Sequence, residues 1–521
     1  MKWFLLSFVV FVATLACQGA QAQTVQPFER DVEVEASKPI DELVLASLRV
    51  RDIQPANVCS DATFLRRAYL DVIGTLPEPA AVREFLRDRS PDKRAALIDA
   101  LLEREEFADY WSLKWCDLLR VKAEFPINLW PNAVQAYHRW IHDAMRENMP
   151  YDAFARALLT SSGSNFRVAP VNFYRAMQGH EPSTIATAVA LTFMGTRIEN
   201  WPEDRRAGME AFFSRIAYKG TAEWKEEIVC LDPAPAGPLD AVFPDGTAVQ
   251  VPPGEDPRRV FADWLIRPDN PWFARNIVNR VWAWLVGRGI IHEPDDVRAD
   301  NPPSNPELLA YLEKELVSAD YDLRHVYRLI LNSRTYQQSP IPRSDSADAE
   351  ALFACYPVRR LDAEVLIDAL CWIAGDGESY SSPIPEPFTF IPKEHRTIAL
   401  ADGSITSQFL EMFGRPSRDT GLESERNNEC TSKQRLYLLN SSQVQQRISG
   451  SPRLRRLGNR LGRDRAGLVR EIYVIILSRR PTLAEQAAAE DYWTSGGVSQ
   501  SQAAEDLAWA LINSKEFLYR H

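Results

Sequence analysis

Apolar side chains recur at intervals of three and four residues through most of the chain, the period of helices that bury one face. Several of these runs carry start signals. Ser90-Pro91-Asp92 reads as an N-cap with proline at the first helical position, ahead of Leu97, Ile98, Leu101 and Leu102 on one face. Asp256-Pro257 repeats the device ahead of Val260, Phe261, Trp264 and Leu265, and Asn305-Pro306 ahead of Leu308, Leu309, Leu312 and Leu316. Thr482-Leu483-Ala484-Glu485 predicts a capping box. Strand signals are confined mainly to residues 227–251, where Ala241-Val242-Phe243 and Thr247-Ala248-Val249-Gln250-Val251 flank the turn-forming Pro244-Asp245-Gly246. Prolines 233, 235, 238, 252 and 253 surround that hairpin and mark a boundary. Residues 379–406 are rich in proline and poor in periodicity, which predicts a long packed loop. The pattern as a whole predicts a mainly α, all-helical-core protein of two helical domains, 40–215 and 256–521, joined by a small β-containing segment at 216–255.

Two stretches resemble each other. Tyr69 leads after eight residues to Pro77, and Tyr473 after eight to Pro481; each proline is followed by two helical runs ending in Glu-Phe, at Glu106-Phe107 and Glu516-Phe517. This suggests one helical-hairpin module used twice and packed as a pair.

The first 22 residues stand apart from the fold. Lys2 is a positive start, residues 3–16 are an apolar run, and Ala20-Gln21-Ala22 is a small-x-small cleavage site, so a signal peptide at 1–22 is expected to leave a mature N-terminus at Gln23. The run is shorter than the ~18 to 20 residues needed to cross a bilayer, and no later stretch qualifies. Export to a periplasmic or extracellular compartment follows, with no transmembrane segment after cleavage. Cys59, Cys116, Cys230, Cys355, Cys371 and Cys430 then remain, and one disulfide at most is expected because Cys116 and Cys371 lie in apolar helical runs. With 60 basic against 71 acidic side chains, the net charge of −11 repels phosphate backbones and disfavours a nucleic-acid partner. Some 521 residues at 45% apolar composition are ample for large cores.

Particular residues then carry a resemblance. Phe64-Leu65-Arg66-Arg67-Ala68-Tyr69-Leu70-Asp71-Val72-Ile73-Gly74-Thr75-Leu76-Pro77, with Asn148-Met149-Pro150-Tyr151-Asp152, is similar to the first of two paired domains of unknown function, numbered fifteen forty-nine and fifteen fifty-three. These are common in secreted planctomycete proteins and often linked to planctomycetal cytochrome c domains. The second domain is resembled by Asp269-Asn270-Pro271-Trp272-Phe273-Ala274-Arg275, Val278-Asn279-Arg280-Val281-Trp282, Asp295-Asp296, Asn301-Pro302-Pro303-Ser304, Leu331-Asn332-Ser333-Arg334-Thr335-Tyr336, Phe413-Gly414-Arg415-Pro416 and the closing segment around Trp509 and Phe517. The resemblance covers roughly residues 40–215 and 255–521. Members of that family usually carry a C-x-x-C-H-like cluster after the helix matched by residues 188–195, where this chain reads Thr196-Arg197-Ile198-Glu199-Asn200-Trp201-Pro202. The departure removes the attachment point for covalent haem, and no cofactor is expected.

Candidate chemistry is sparse. His138 and His142, spaced i, i+4, can meet one metal, yet they lack the glutamate of a zinc-protease motif and read more readily as helix-surface histidines; no metal site is expected. No G-x-S-x-G elbow, P-loop or G-x-G-x-x-G fingerprint is present, and Gly287-Arg288-Gly289 reads as a helix stop. Paired carboxylates Asp295 and Asp296, on a loop with Asn301 and near Arg280, suit either ligand binding and acid/base work or helix capping and neutralisation of Arg280 and Arg298. Arg415, Arg418 and Glu425 form a second polar cluster suited to carboxylate or sulfate recognition, or to tying loops to helices. The leading expectation is an exported non-haem accessory or binding protein of the cell envelope, its partner a glycan or a co-secreted envelope protein. The alternatives are a hydrolase using Asp295 and Asp296, and a redox protein with a non-covalent cofactor.

Overall fold

The computed structural model describes residues 27–521 except 31, 33, 236, 393, 462, 463, 496 and 498; the expected signal peptide lies outside them. The described chain is mainly helical with three small antiparallel sheets, so it is not purely α. Three of the four predicted caps form. Asp256 Oδ1 accepts from Arg258 N at 2.9 Å, Asn305 Oδ1 accepts from Leu308 N at 3.0 Å, and Thr482 and Glu485 bond reciprocally at 3.2 and 2.7 Å. The fourth is displaced. The helix begins at Lys93, and the Ser90 hydroxyl bonds Asp92 N in the turn ahead of it.

The Leu239–Val242 and Ala248–Val251 strands pair as predicted around the Pro-Asp-Gly turn, closed by Gly246 N donating to Phe243 O at 2.8 Å. A second sheet was less legible. Ile216–Gly220 pairs along Glu227–Leu231, whose other edge takes the two-residue strand Gly163–Ser164. Residues 379–406 are irregular apart from one short turn at Thr397–Ala399.

The repeated module is real in three dimensions. The Asp61–Val72 and Arg465–Leu477 helices each end near a left-handed residue five positions past the tyrosine, Gly74 (φ +61°) and Ser478 (φ +59°). At position 74 glycine is also required sterically, since a Cβ would sit 2.7 Å from the Tyr110 ring. Two helices follow in each copy, Pro79–Arg87 with Lys93–Leu102, and Leu483–Ser495 with Gln500–Ile512. The Glu-Phe pairs do not end the second helix, as the sequence suggested; they open the next one, at Glu105–Leu118 and Lys515–Leu518. An arginine stacks over each tyrosine and binds each glutamate: Arg104 over Tyr69 with Glu106 at 3.0 Å, Arg479 over Tyr473 with Glu516 at 2.6 Å. The copies pack together. Arg66 donates to Ile476 O at 2.9 Å and Phe517 O at 3.0 Å, and Arg83 pairs Glu471 at 3.0 Å.

The N- and C-terminal halves share one continuous core among the described residues. Trp111 and Trp115 of the Glu105–Leu118 helix pack on Trp284 with ring centroids 5.5 and 6.2 Å apart, and Trp111 lies 4.4 Å from Tyr327. No described helix is long and apolar enough to cross a membrane. All six cysteines of the described chain are unpaired.

Candidate functional site

The Phe273–Val286 helix is buried along nearly its whole length, so any charge on it needs a partner. Arg280, fully buried, donates from Nη2 to Asp295 Oδ1 at 2.6 Å and to Leu191 O at 2.7 Å, and from Nη1 to Thr192 O at 2.5 Å. The second Asp295 oxygen accepts from Glu423 N at 2.5 Å. Both oxygens of Asp295 are therefore engaged, in a closed ion pair whose two members join four segments. Asp296 turns the other way: it is partly exposed, pairs with Arg298 at 3.1 Å, and its carbonyl accepts from Asn301 Nδ2 at 2.9 Å. Asn301 also donates to His292 O at 3.1 Å, so it closes the loop on itself. Adjacent positions in an extended or turning segment point to opposite sides, and here one acid goes inward and one outward. They do not form a carboxylate pair. Gly287 (φ +93°) ends the preceding helix, as read from the sequence, with its N–H on Ala283 O.

Arg415 and Arg418 come together, but inside a buried ionic network. Arg415 Nε lies 3.3 Å from Glu364 Oε1, with its other nitrogens on the carbonyls of Ile405 and Asp402. Arg418 donates to Asp117 Oδ1 at 2.9 Å and to the carbonyls of Val121 and Ala401. Arg426 bridges Asp117 and Glu364, each at 2.7 Å. Asp362 completes the network, accepting from Tyr110, Lys114 and Arg520 at 2.9 to 3.1 Å on one oxygen and Asn428 at 2.7 Å on the other. Burial pushes the Asp362 and Glu364 carboxyls up, but Lys114, Arg520 and Arg426 outweigh it at Asp362, and Arg426 and Arg415 hold Glu364 down at about 2. Glu425 stays out of this network and ties its own loop through Ser417, Asp419 and Thr420. Lys114, Asp117, Asp362 and Glu364 were missed in the sequence. The signal at Lys114, Asp117 and Glu364 is a charged residue set inside an otherwise apolar helical face, whereas Asp362 sits just ahead of its helix.

His138 and His142 stack at 6.2 Å, with His142 Nε2 3.4 Å from both Glu105 and Asp109. The residues at 196–202 offer no thiol. Thr196 instead bonds Val297 O at 2.9 Å, and Gly195 (φ +61°) lets the backbone approach Asn276 so closely that a Cβ would meet its Oδ1 at 2.4 Å.

The larger opening lies elsewhere. A cleft of about 580 Å³ sits between the C-terminal end of the Ala363–Ala374 helix and the irregular segment after it. Trp372, Asp376, Glu378, Glu394, His395 and Arg396 line it. Arg447 anchors Asp376 at 2.8 Å and Glu378 at 2.5 Å, and Asp368 pins the segment by accepting from Thr397 N and Ile398 N at 2.8 and 3.0 Å. Burial, opposed by those hydrogen bonds, leaves the Asp368 carboxyl above its usual range. Trp372 donates from Nε1 to Glu78 at 3.0 Å with Arg453 stacked 4.0 Å from its ring centre, and buried Arg396 Nη2 has no partner. An indole plate beside fixed carboxylates and a guanidinium suits a polar ligand with an apolar face. None of these residues was singled out from the sequence, because the cleft is made by an aperiodic segment folding back on a helix end.

Two family matches fix the relationship. Residues 39–203 match PSCyt2, a protein of unknown function (DUF1549), and residues 257–493 match PSD1, a protein of unknown function (DUF1553). The chain carries both of these domains, in that order. No curated protein and no solved structure matches it. Within this family frame, the segments that carried the resemblance are largely docking residues between the paired domains. Asn276 and Arg280 of the second domain hold carbonyls at 191–192 of the first, while Thr335 binds Asp41 at 3.0 Å and Tyr336 binds Asp71 at 2.9 Å.

Proposed function

We propose that the protein is an exported, non-haem binding protein of the cell envelope whose ligand is a glycan held in the Trp372 cleft. The single observation that carries this reading is the cleft itself, about 580 Å³, with an indole, four carboxylates and the Arg396 side chain on its lining. Sugars offer exactly complementary surfaces: C–H faces that lie on aromatic rings, and hydroxyls that bond carboxylates and guanidinium groups. The hydrolase alternative at Asp295 and Asp296 is less well supported, because Asp295 has both oxygens bound and Asp296 faces a different side. Export rests on the charged start, apolar run and small-x-small site of residues 1–22.

Two measurements test the reading. N-terminal sequencing from envelope fractions is expected to begin at Gln23, and a cytosolic protein retaining Met1 would refute export. A glycan array probed with the purified mature protein is expected to give a restricted set of positives that the Trp372→Ala variant loses by about tenfold, the scale of one stacked aromatic contact. An array without positives, or positives indifferent to Trp372, would refute the glycan site.

A further inference from the structure

A second cleft, of about 540 Å³, opens between the Pro182–Val189 helix and the loop at 417–425. Its floor contains Arg120, only 3% exposed. Arg120 follows the Glu105–Leu118 helix in a left-handed conformation (φ +54°), which turns its side chain under that loop. Its Nε donates to Ala176 O at 2.6 Å and its Nη1 makes a long bond of 3.4 Å to Thr420 O, while Nη2 has no partner. Among the described residues no carboxylate forms an ion pair with it. This separates Arg120 from Arg280, Arg415, Arg418 and Arg426, each of which meets an acid.

Apart from the long Thr420 contact, the loop above it is fixed from within. Glu425 accepts from Ser417 Oγ at 2.5 Å, Asp419 N at 2.9 Å and Thr420 N at 3.1 Å, which holds the turn. Gly421 (φ +76°) lets the backbone pass directly over the guanidinium, since a Cβ there would lie 2.4 Å from Nη1. Ser183 and Thr184 line the cleft, in the first turn of a helix whose dipole favours negative charge at this end, with Pro182 at its head supplying no N–H. Two acids also line the cleft. Asp419 is neutralised by Lys122 at 2.6 Å, and Glu199 stands at the exposed rim.

We infer that this cleft binds an oxyanion, the sulfate, phosphate or carboxylate group of a small polar ligand, with Arg120 as the cation and Ser183 and Thr184 as hydrogen-bond donors. The site is separate from the Trp372 cleft and stands independently of the glycan reading. Burial holds the Arg120 guanidinium down at about 10, and the nearby Tyr137 and Glu425, neither of them paired with it, offset that only in part. A bound oxyanion supplies a paired counter-charge and engages Nη2 in a charge-assisted bond.

Calorimetric titration of the mature protein with sodium sulfate, sodium phosphate and sodium acetate, at ionic strength held constant with sodium chloride, tests the site. At least one anion is expected to bind saturably, and the one that binds tightest names the group. Arg120→Gln is expected to abolish that binding and Thr184→Val to weaken it about tenfold, as loss of one hydrogen bond to a charged group does. Because Arg120 is buried, its variant is checked by circular dichroism; should it not fold, the half-buried Thr184→Val decides alone. No saturable binding of any of the three anions, or binding that the folded variants leave unchanged, overturns the inference.

Discussion

Asp295→Asn is expected to destabilise the protein by about 3 to 5 kcal/mol, the cost of breaking a buried ion pair from one side, whereas Asp296→Asn is expected to cost less than about 1 kcal/mol. The asymmetry comes from geometry. Arg280 is fully buried, and the amide of an asparagine would leave its charge unanswered while placing an N–H₂ group against one of two donors, Arg280 Nη2 or Glu423 N. Asp296 keeps one solvent-facing arginine partner, whose side chain is 54% exposed, and water replaces that contact readily. The loss at Asp295 also loosens the docking of the two paired domains, because the same guanidinium holds the carbonyls of Leu191 and Thr192. Urea unfolding of both variants at pH 7 measures the difference. Equal and small effects would show that the Asp295 pair is not structural.

Acidification below pH 6.5 is expected to lower stability steeply. Burial, reinforced by Arg418, pushes His138 down to about 3, and burial, reinforced by Arg66, does the same to His521. An unfolded chain titrates its histidines near 6.5, so between about 3 and 6.5 the unfolded state binds more protons. The stability from each neutral histidine is complete above pH 6.5 and is lost as pH falls, by at most about 1.4 kcal/mol per pH unit per residue. Glu364, held at about 2, adds a further loss between about 4.5 and 2 as its pairing with Arg426 is protonated away. His142 has the opposite sign. Its hydrogen bond with Asp109, working against burial, raises it, so that contribution is full below pH 6.5 and is lost as pH rises through the folded value. Denaturant unfolding at pH 7, 6 and 5 is expected to show the decline, and His138→Gln to flatten it by about 1.4 kcal/mol per unit at most. Identical slopes for the two proteins would contradict the assignment.

What was legible in the sequence follows from how local each feature is. Caps at Asp256, Asn305 and Thr482 bond within three residues, so their residue types suffice to place them. The Pro-Asp-Gly hairpin is equally local. Ser90 failed because a serine can bond backbone in a turn as well as at a helix start, and here Asp92 N takes it before the helix begins. The strand at Ile216–Gly220 was missed because its half-exposed residues alternate weakly and its partner lies across a turn.

The site was harder, for a physical reason. Arg280 and Asp295 are 15 residues apart and were rightly suspected to interact, yet nothing in their spacing reveals that Glu423, more than a hundred residues away, takes the second oxygen. Arg415 and Arg418 read equally well as an anion site until Glu364 and Asp117 are seen against them. Trp372 and Arg396 form a cleft only through the path of an aperiodic segment, and aperiodic segments carry no pattern to read.

The central claim is that ligand binding resides in the Trp372 cleft while the Asp295 pair serves the fold. Titration of the strongest array-positive glycan against wild type, Trp372→Ala and Asp295→Asn, at a temperature where all three are folded, tests it most directly. The account predicts about tenfold weaker binding for Trp372→Ala and unchanged affinity per folded molecule for Asp295→Asn; loss of binding in Asp295→Asn with Trp372→Ala unaffected would contradict it.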